Sequence, residues 1–182
     1  MDTRQLTLTV TGSYTITASR RLGEVGVPFR ATLAASGGAA PLTWSSAGGL
    51  PQGLTLDSHG AISGEPKHAG TYTVGVHFVD ANGSAADAQV SLVVRPRLAV
   101  ATRSLRPAHA GHVYKATLAA RGGVAAFRWS LAGGSLPRGL RLAGGTGTIS
   151  GSPSHGGTFR FTLRVRDALG AVSTKRVTLR VR

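Results

Sequence analysis

The chain has 182 residues, 41% hydrophobic and 5% aromatic, with 26 glycines, 8 prolines and no cysteine. That length accommodates one large domain or two small ones, and the missing cysteine excludes disulfides and thiolate metal sites, so each core must hold by burial alone. No apolar run approaches a membrane span, and the formal net charge of +14 implies anionic partners if it is concentrated on one face.

In chain order, the first stretch is MDTRQLTLTV, residues 1–10, which lacks the basic and then continuously apolar pattern of a signal peptide. Residues 6–16 align without a gap with residues 90–100, so residues 1–10 read as the closing strand of a preceding repeat, in a chain excerpted from a longer array. The other reading is an orphan N-terminal strand that completes a sheet in a neighbouring molecule.

From residue 11 the chain repeats itself. FRATLAASGGAAPLTW (Phe29 to Trp44) matches YKATLAARGGVAAFRW (Tyr114 to Trp129), and LPQGLTLDSHGAISGEP (Leu50 to Pro66) matches LPRGLRLAGGTGTISGSP (Leu136 to Pro153). GTYTVGVHFVDANG (Gly70 to Gly83) then matches GTFRFTLRVRDALG (Gly157 to Gly170), and VSLVV (Val90 to Val94) matches VTLRV (Val177 to Val181). The expected boundaries are one domain at 11–94, a linker at 95–97 (Arg-Pro-Arg) and a second domain at 98–182.

Inside each copy the hydrophobic period is two. Phe159, Phe161, Leu163 and Val165 fall on one side of a strand, with Arg160, Thr162, Arg164 and Arg166 on the other; Val177, Leu179 and Val181 alternate in the same way. Asp80-Ala-Asn-Gly83 and Asp167-Ala-Leu-Gly170 read as hairpin turns in which the Asp bonds the turn backbone and the Gly supplies a positive φ. In the Leu-Pro-x-Gly-Leu phrase, Pro51 and Pro137 open turns, and Leu54, Leu56, Leu140, Leu142, Ile62 and Ile149 point inward. About seven short strands per copy, with one Trp each, predict an all-β chain of two tandem immunoglobulin-like β-sandwiches.

The pattern G-x-P-[FY], GG, P-[LF]-x-W, LP-x-GL-x-L, G-x-I-S-G-x-P, GTY, D-x-x-G runs from Gly26 to Gly83. It resembles that of the bacterial "putative Ig" (He-PIG-type) repeats, a family related to cadherin-like sandwiches. The second copy departs at Val113 and Ala126, where the pattern has Pro. The resemblance implies tandem spacers or adhesive modules of large bacterial surface, secreted or virion proteins, without catalytic activity.

Charge separates the copies. Residues 1–94 hold five basic residues and six acids, whereas residues 95–182 hold sixteen basic residues and a single acid, Asp167. Arg160, Arg164 and Arg166 share the outer face of one strand, Arg176, Arg180 and Arg182 that of its hairpin partner, and Arg128, beside inward Trp129, is expected on the same sheet. Like charges facing one another across strands cost about 0.2–1 kcal/mol per pair, and a guanidinium array suits phosphate, sulfate or carboxylate groups on a polymer. The opposing reading is a solvated face in an arginine-rich composition, since arginine outnumbers lysine 18 to 3. No aromatic residues alternate with these arginines, which argues against base-specific reading of nucleic acid.

No metal or cofactor is expected. His109 and His112 stand three apart without a third ligand nearby in sequence, and His68 and His155 occupy matched turns. Calcium requires several anionic oxygens, and the linker offers arginines. Catalysis finds no carboxylate pair in the second copy, no nucleophile elbow and no phosphate loop, because Gly144–Gly151 lacks the lysine and leads into a strand. The functional expectation is a non-catalytic structural or adhesive module of an extracellular or cell-surface assembly, partnered by neighbouring repeats or subunits. The alternatives are binding of a polyanion (acidic glycan, cell-wall polymer or nucleic acid) through the basic sheet face, and a virion or filament subunit.

Overall fold

The computed structural model describes residues 14–182; the expected closing or orphan strand at residues 1–10 lies outside them. Every regular element described is a strand. The first eight are β1 (Thr15–Ala18), β2 (Leu22–Glu24), β3 (Phe29–Ser36), β4 (Thr43–Gly48), β5 (Leu54–Leu56), β6 (Ala61–Gly64), β7 (Gly70–Val79) and β8 (Ala85–Arg95). The others are β9 (Ala99–Val100), β10 (Tyr114–Thr117), β11 (Ala120–Arg121), β12 (Arg128–Gly134), β13 (Leu140–Ala143), β14 (Thr148–Gly151), β15 (Gly157–Arg166) and β16 (Val172–Val181).

The chain divides into two compact units. The first comprises the described residues up to Arg21 together with Pro28–Gly64 and Thr71–Leu92; the second comprises Leu22–Val27, Glu65–Gly70 and Val93–Arg182. In the first unit, one sheet has the order β1-β3-β6-β5 and the facing strands run β8-β7-β4. Phe29, Ala31 and Leu33 of β3 alternate inward against Val74, Val76 and Phe78 of β7 and Val90 and Leu92 of β8, with Ile62 fully buried between them. Trp44 packs at 5.0 Å from Phe78, ring centroid to centroid. Alternation places these side chains because successive Cβ atoms leave a strand on opposite faces.

The second unit repeats the plan, with β12-β15-β16 as one sheet and β10-β14-β13 facing it. Phe161, Leu163, Val165, Val177, Leu179, Val181, Trp129 and Ile149 form its core. The segment matching β3 is broken here into β10 and β11, and β11 pairs with β9. In Arg95 to Arg97, expected as a linker, the first two carbonyls are hydrogen-bonded. Arg95 closes β8 opposite Glu24, its carbonyl accepts from Val25 N at 3.1 Å, and the Pro96 carbonyl accepts from Gly123 N at 2.7 Å.

The twice-written Leu-Pro-x-Gly-Leu phrase is scaffold in both places. The Pro51 and Pro137 carbonyls accept from Leu54 N and Leu140 N at 3.0 Å, closing matched turns. At the end of the phrase, Gly64 (φ 131°) and Gly151 (φ 132°) lie against the carbonyl oxygens of Gly53 and Gly139, where a Cβ would collide with backbone. Ala126, at the position where the first copy has Pro41, takes φ 67°, a left-handed conformation that L-residues adopt at a cost.

Candidate functional site

The basic face is built by strand register. In the β12-β15-β16 sheet, Arg128 pairs with Arg166 and Ser130 with Arg164, and Trp129 and Val165 between them point to the core. Across β15 and β16, Thr158 pairs with Arg180, Arg160 with Thr178, Thr162 with Arg176, and Arg164 with Thr174. Arg128, Arg160, Arg164, Arg166, Arg176 and Arg180 therefore lie on one outer face, and all are exposed. Arg182, also exposed, follows β16 with the same parity, its N–H donating to the Ala108 carbonyl at 2.9 Å.

The register changes one expectation. The arginines of β15 and β16 do not face one another: Arg160, Arg164, Arg176 and Arg180 each stand opposite a threonine, Arg166 stands opposite Val172, and only Arg128 and Arg166 are direct partners. A register shifted by two residues would keep the same side chains outward and set Arg160 opposite Arg176, and alternation within one strand does not specify which residue lies across. The cross-strand repulsion is thus confined to one pair. The same face of the first copy is an internal control. Thr43, Thr73, His77, Val79, Gln89 and Val93 stand where the second copy has Arg128, Arg160, Arg164, Arg166, Arg176 and Arg180, and His77 there contacts Asp87 at 2.8 Å. A chain-wide arginine bias would have reached both copies.

The two turn aspartates are structural in the way their sequence predicts. Asp80 Oδ1 accepts from Asn82 N and Ser84 N at 2.9 Å, and its Oδ2 accepts from Ala39 N at 3.0 Å. Asp167 Oδ1 accepts from Leu169 N and Ala171 N at 2.9 Å, and Oδ2 from Val124 N at 2.8 Å. Each carboxylate therefore ties its hairpin to the neighbouring Gly-Gly loop. For Asp80, the Ala39 hydrogen bond outweighs burial and, with those from Ser84 and Asn82, holds the carboxyl below its usual range.

A residue that the sequence did not single out lies in the second unit. Glu24 is fully buried, and its Oε1 accepts from Leu98 N at 2.6 Å. Burial, and then the hydrogen bond to the Asp167 carboxyl, push Glu24 up to about 7. Burial also acts against the Asp167 charge, but the hydrogen bonds from Glu24, Val124, Ala171 and Leu169 outweigh it and hold Asp167 low. The proton goes to Glu24 because Asp167 receives three backbone donors and Glu24 one. Glu24 Oε2 is buried with no hydrogen-bond partner, which adds to the cost of a charge there. No local pattern marks Glu24, since a short Leu-Gly-Glu segment between turns reads as exposed.

Among the described residues, no group of three or more His, Asp or Glu could hold a metal ion. His109 and His112 sit with ring centroids 6.1 Å apart, and His112 Nδ1 lies 2.9 Å from the Ala110 carbonyl. His155 is paired with Ser154 Oγ at 2.9 Å. A recess of about 460 Å³ in the second unit is lined by Leu22, Arg95, Pro96, Gly123, Val124 and Phe127 among others. No described helix is long and apolar enough to cross a membrane.

Two facing sheets per unit, an inward Trp on each, and duplicated turns define a tandem immunoglobulin-like β-sandwich protein. The profile of the family described as "Putative Ig domain" (He_PIG) matches residues 9–95 and 100–182, and the chain belongs to that family. Among solved structures it is similar to a C-terminal fragment of intimin in complex with the intimin-binding domain of its translocated receptor. That match has 17% identity, a TM-score of 0.49, and covers 91% of this chain and 63% of that one. It is similar also to extracellular domains 3–5 of Drosophila OTK (16% identity, TM-score 0.45, 93% and 62% covered). A third match is an α-galactosidase-like protein of Bacteroides fragilis, at 27% identity and TM-score 0.42, covering 47% of this chain and 18% of that one. The chain thus spans less than two thirds of each of these longer chains. A search of curated proteins finds no match.

Proposed function

We propose that the chain is a non-catalytic structural and adhesive module of an extracellular or cell-surface assembly, working beside neighbouring repeats or subunits. The observation that carries this reading is the division of labour within the repeat. Residues kept between the copies are core and turn, and the clustered change between them is the arginine array on an outer sheet face. Membership of an immunoglobulin-like family supports it. Beads coated with the chain are expected to adhere to surfaces bearing acidic polymer and to leave the polymer at its original length. Shortened polymer would overturn the non-catalytic reading.

A second reading follows from the same face: direct binding of a polyanion by the second unit. Six exposed guanidinium groups with no carboxylate among their cross-strand neighbours favour it, because charge-assisted contacts to phosphate or sulfate release counterions from the polymer. Replacing Arg160, Arg164, Arg176 and Arg180 together by Gln is expected to abolish retention on an acidic polymer at moderate salt and to flatten its salt dependence. Unchanged retention would sink this reading.

A further inference from the structure

The pairing register converts the arginine face into a linear scale. Taking β15 as the ruler, Arg180 stands at the level of Thr158, Arg160 at its own, Arg176 at the level of Thr162, and Arg164 and Arg166 at theirs. Each two-residue step from 158 to 166 thus carries one arginine of the hairpin, coming in turn from β16, β15, β16, β15 and β15. A two-residue step in an antiparallel strand is about 6.8 Å, so the five levels extend over roughly 27 Å. At four of the five levels the residue opposite the arginine is a threonine, Thr158, Thr178, Thr162 or Thr174. A guanidinium and a hydroxyl at one level offer donors to one anionic group.

We propose that this face is a rail for an extended, base-free phosphodiester polymer of the polyol-phosphate kind, one phosphate per level. The proposal rests on the polyanion reading above and adds the ligand's spacing. Two residues of extended chain contain six backbone bonds, and so does one repeat of a polyol phosphate with a three-carbon unit between phosphates, counted phosphorus to phosphorus. Both are chains of single or nearly single bonds of similar length, so their extended repeats agree without either being strained. Inorganic polyphosphate places charges every two bonds, too densely for one per level. A uronic-acid polymer with a disaccharide repeat places them too sparsely. Polynucleotides share the six-bond repeat, but the outer-face residues of the three strands are arginine, threonine and serine with glycine and Val172, and none is a platform for base stacking. Sheet twist rotates successive levels, which a single flexible polymer follows and a rigid duplex does not.

The test moves a charge without removing one. Arg176→Thr with Thr162→Arg carries an arginine across to the other strand at the same level; Arg176→Thr with Thr178→Arg carries it to the level of Arg160 and vacates its own. Both keep the net charge and alter only exposed or half-buried face positions, so both are expected to fold, the second melting slightly lower because its new arginine stands opposite Arg160. Affinity for synthetic poly(glycerol phosphate) oligomers, measured by calorimetry with the full chain, is expected to rise with length up to about five phosphates. Same-level transfer should leave it within twofold, and the level-vacating transfer should weaken it about tenfold, the loss of one charge-assisted contact. Equal affinity of the two variants, or tighter binding of oligodeoxythymidylate or polyphosphate than of poly(glycerol phosphate), overturns the rail while leaving polyanion binding intact. No binding of any of these polymers at low salt overturns both.

Discussion

Glu24 and Asp167 are neighbouring carboxyls with opposite effects on stability. Asp167 is held below its ordinary range, so its contribution is present above the unfolded value and is lost as acid protonates it. Glu24 is raised to about 7 from an ordinary value of 4.5, so the folded state binds its proton more tightly than the unfolded state does. Its contribution is full below pH 4.5 and declines as pH rises towards 7, by an amount on the order of a few kcal/mol. Arg97 opposes this shift without reversing it. Glu24→Gln keeps an acceptor for Leu98 N and a fixed donor for Asp167 and has nothing to titrate. The variant is expected to melt like the parent at pH 5 and at higher temperature at pH 8, in a calorimetric series across pH. A parent melting temperature flat between pH 5 and 8 would contradict this. Gly151 presents the other residue-scale test. Its φ of 132° and the Gly139 carbonyl leave no space for a Cβ, and Gly151→Ala is expected to cost about 2–4 kcal/mol, read as a lowered denaturant midpoint at unchanged m-value.

At the scale of elements, the hairpin turns are the best-specified parts of the molecule. Asp80 satisfies two donors of its own turn and one of the Gly-Gly loop, so Asp80→Asn loses one acceptor and the charge that strengthens all three bonds. A drop in melting temperature on the order of 5 °C at pH 7 is expected. The difference should shrink as pH falls through the lowered Asp80 range, because the parent carboxylate then gains a proton and its stabilisation is lost. The strands on either side were legible from alternation alone: β15 and β16 bury Phe161, Leu163, Val165, Val177, Leu179 and Val181 as a period of two requires. Three of the four shortest strands were not. β2, β9 and β11 have two or three residues each, too few for a period to register, and they exist because β8, β9 and β11 find partners distant in sequence.

For the molecule as a whole, the contrast between copies is the functional signal, and it appears in sequence as sixteen basic residues against one acid after residue 94. A count cannot distinguish a dispersed charge from an array. Strand parity assigned Arg160, Arg164, Arg166, Arg176, Arg180 and Arg182 to outer positions, and the hairpin register then set arginine against threonine. The salt series with four arginines replaced by Gln tests the array at this scale, with the first copy's neutral face as the reason its effect should be confined to the second.

The sequence by itself determined the two tandem sandwiches, their cores and their turns, because alternation, Gly with positive φ and Asp at turn starts act over a few residues. It also determined which copy is basic. Only the tertiary structure decided that four arginines of the hairpin stand opposite threonines and that Glu24 is buried beside Asp167. Both depend on which distant residue lies opposite, a matter of pairing register and burial that no local pattern encodes.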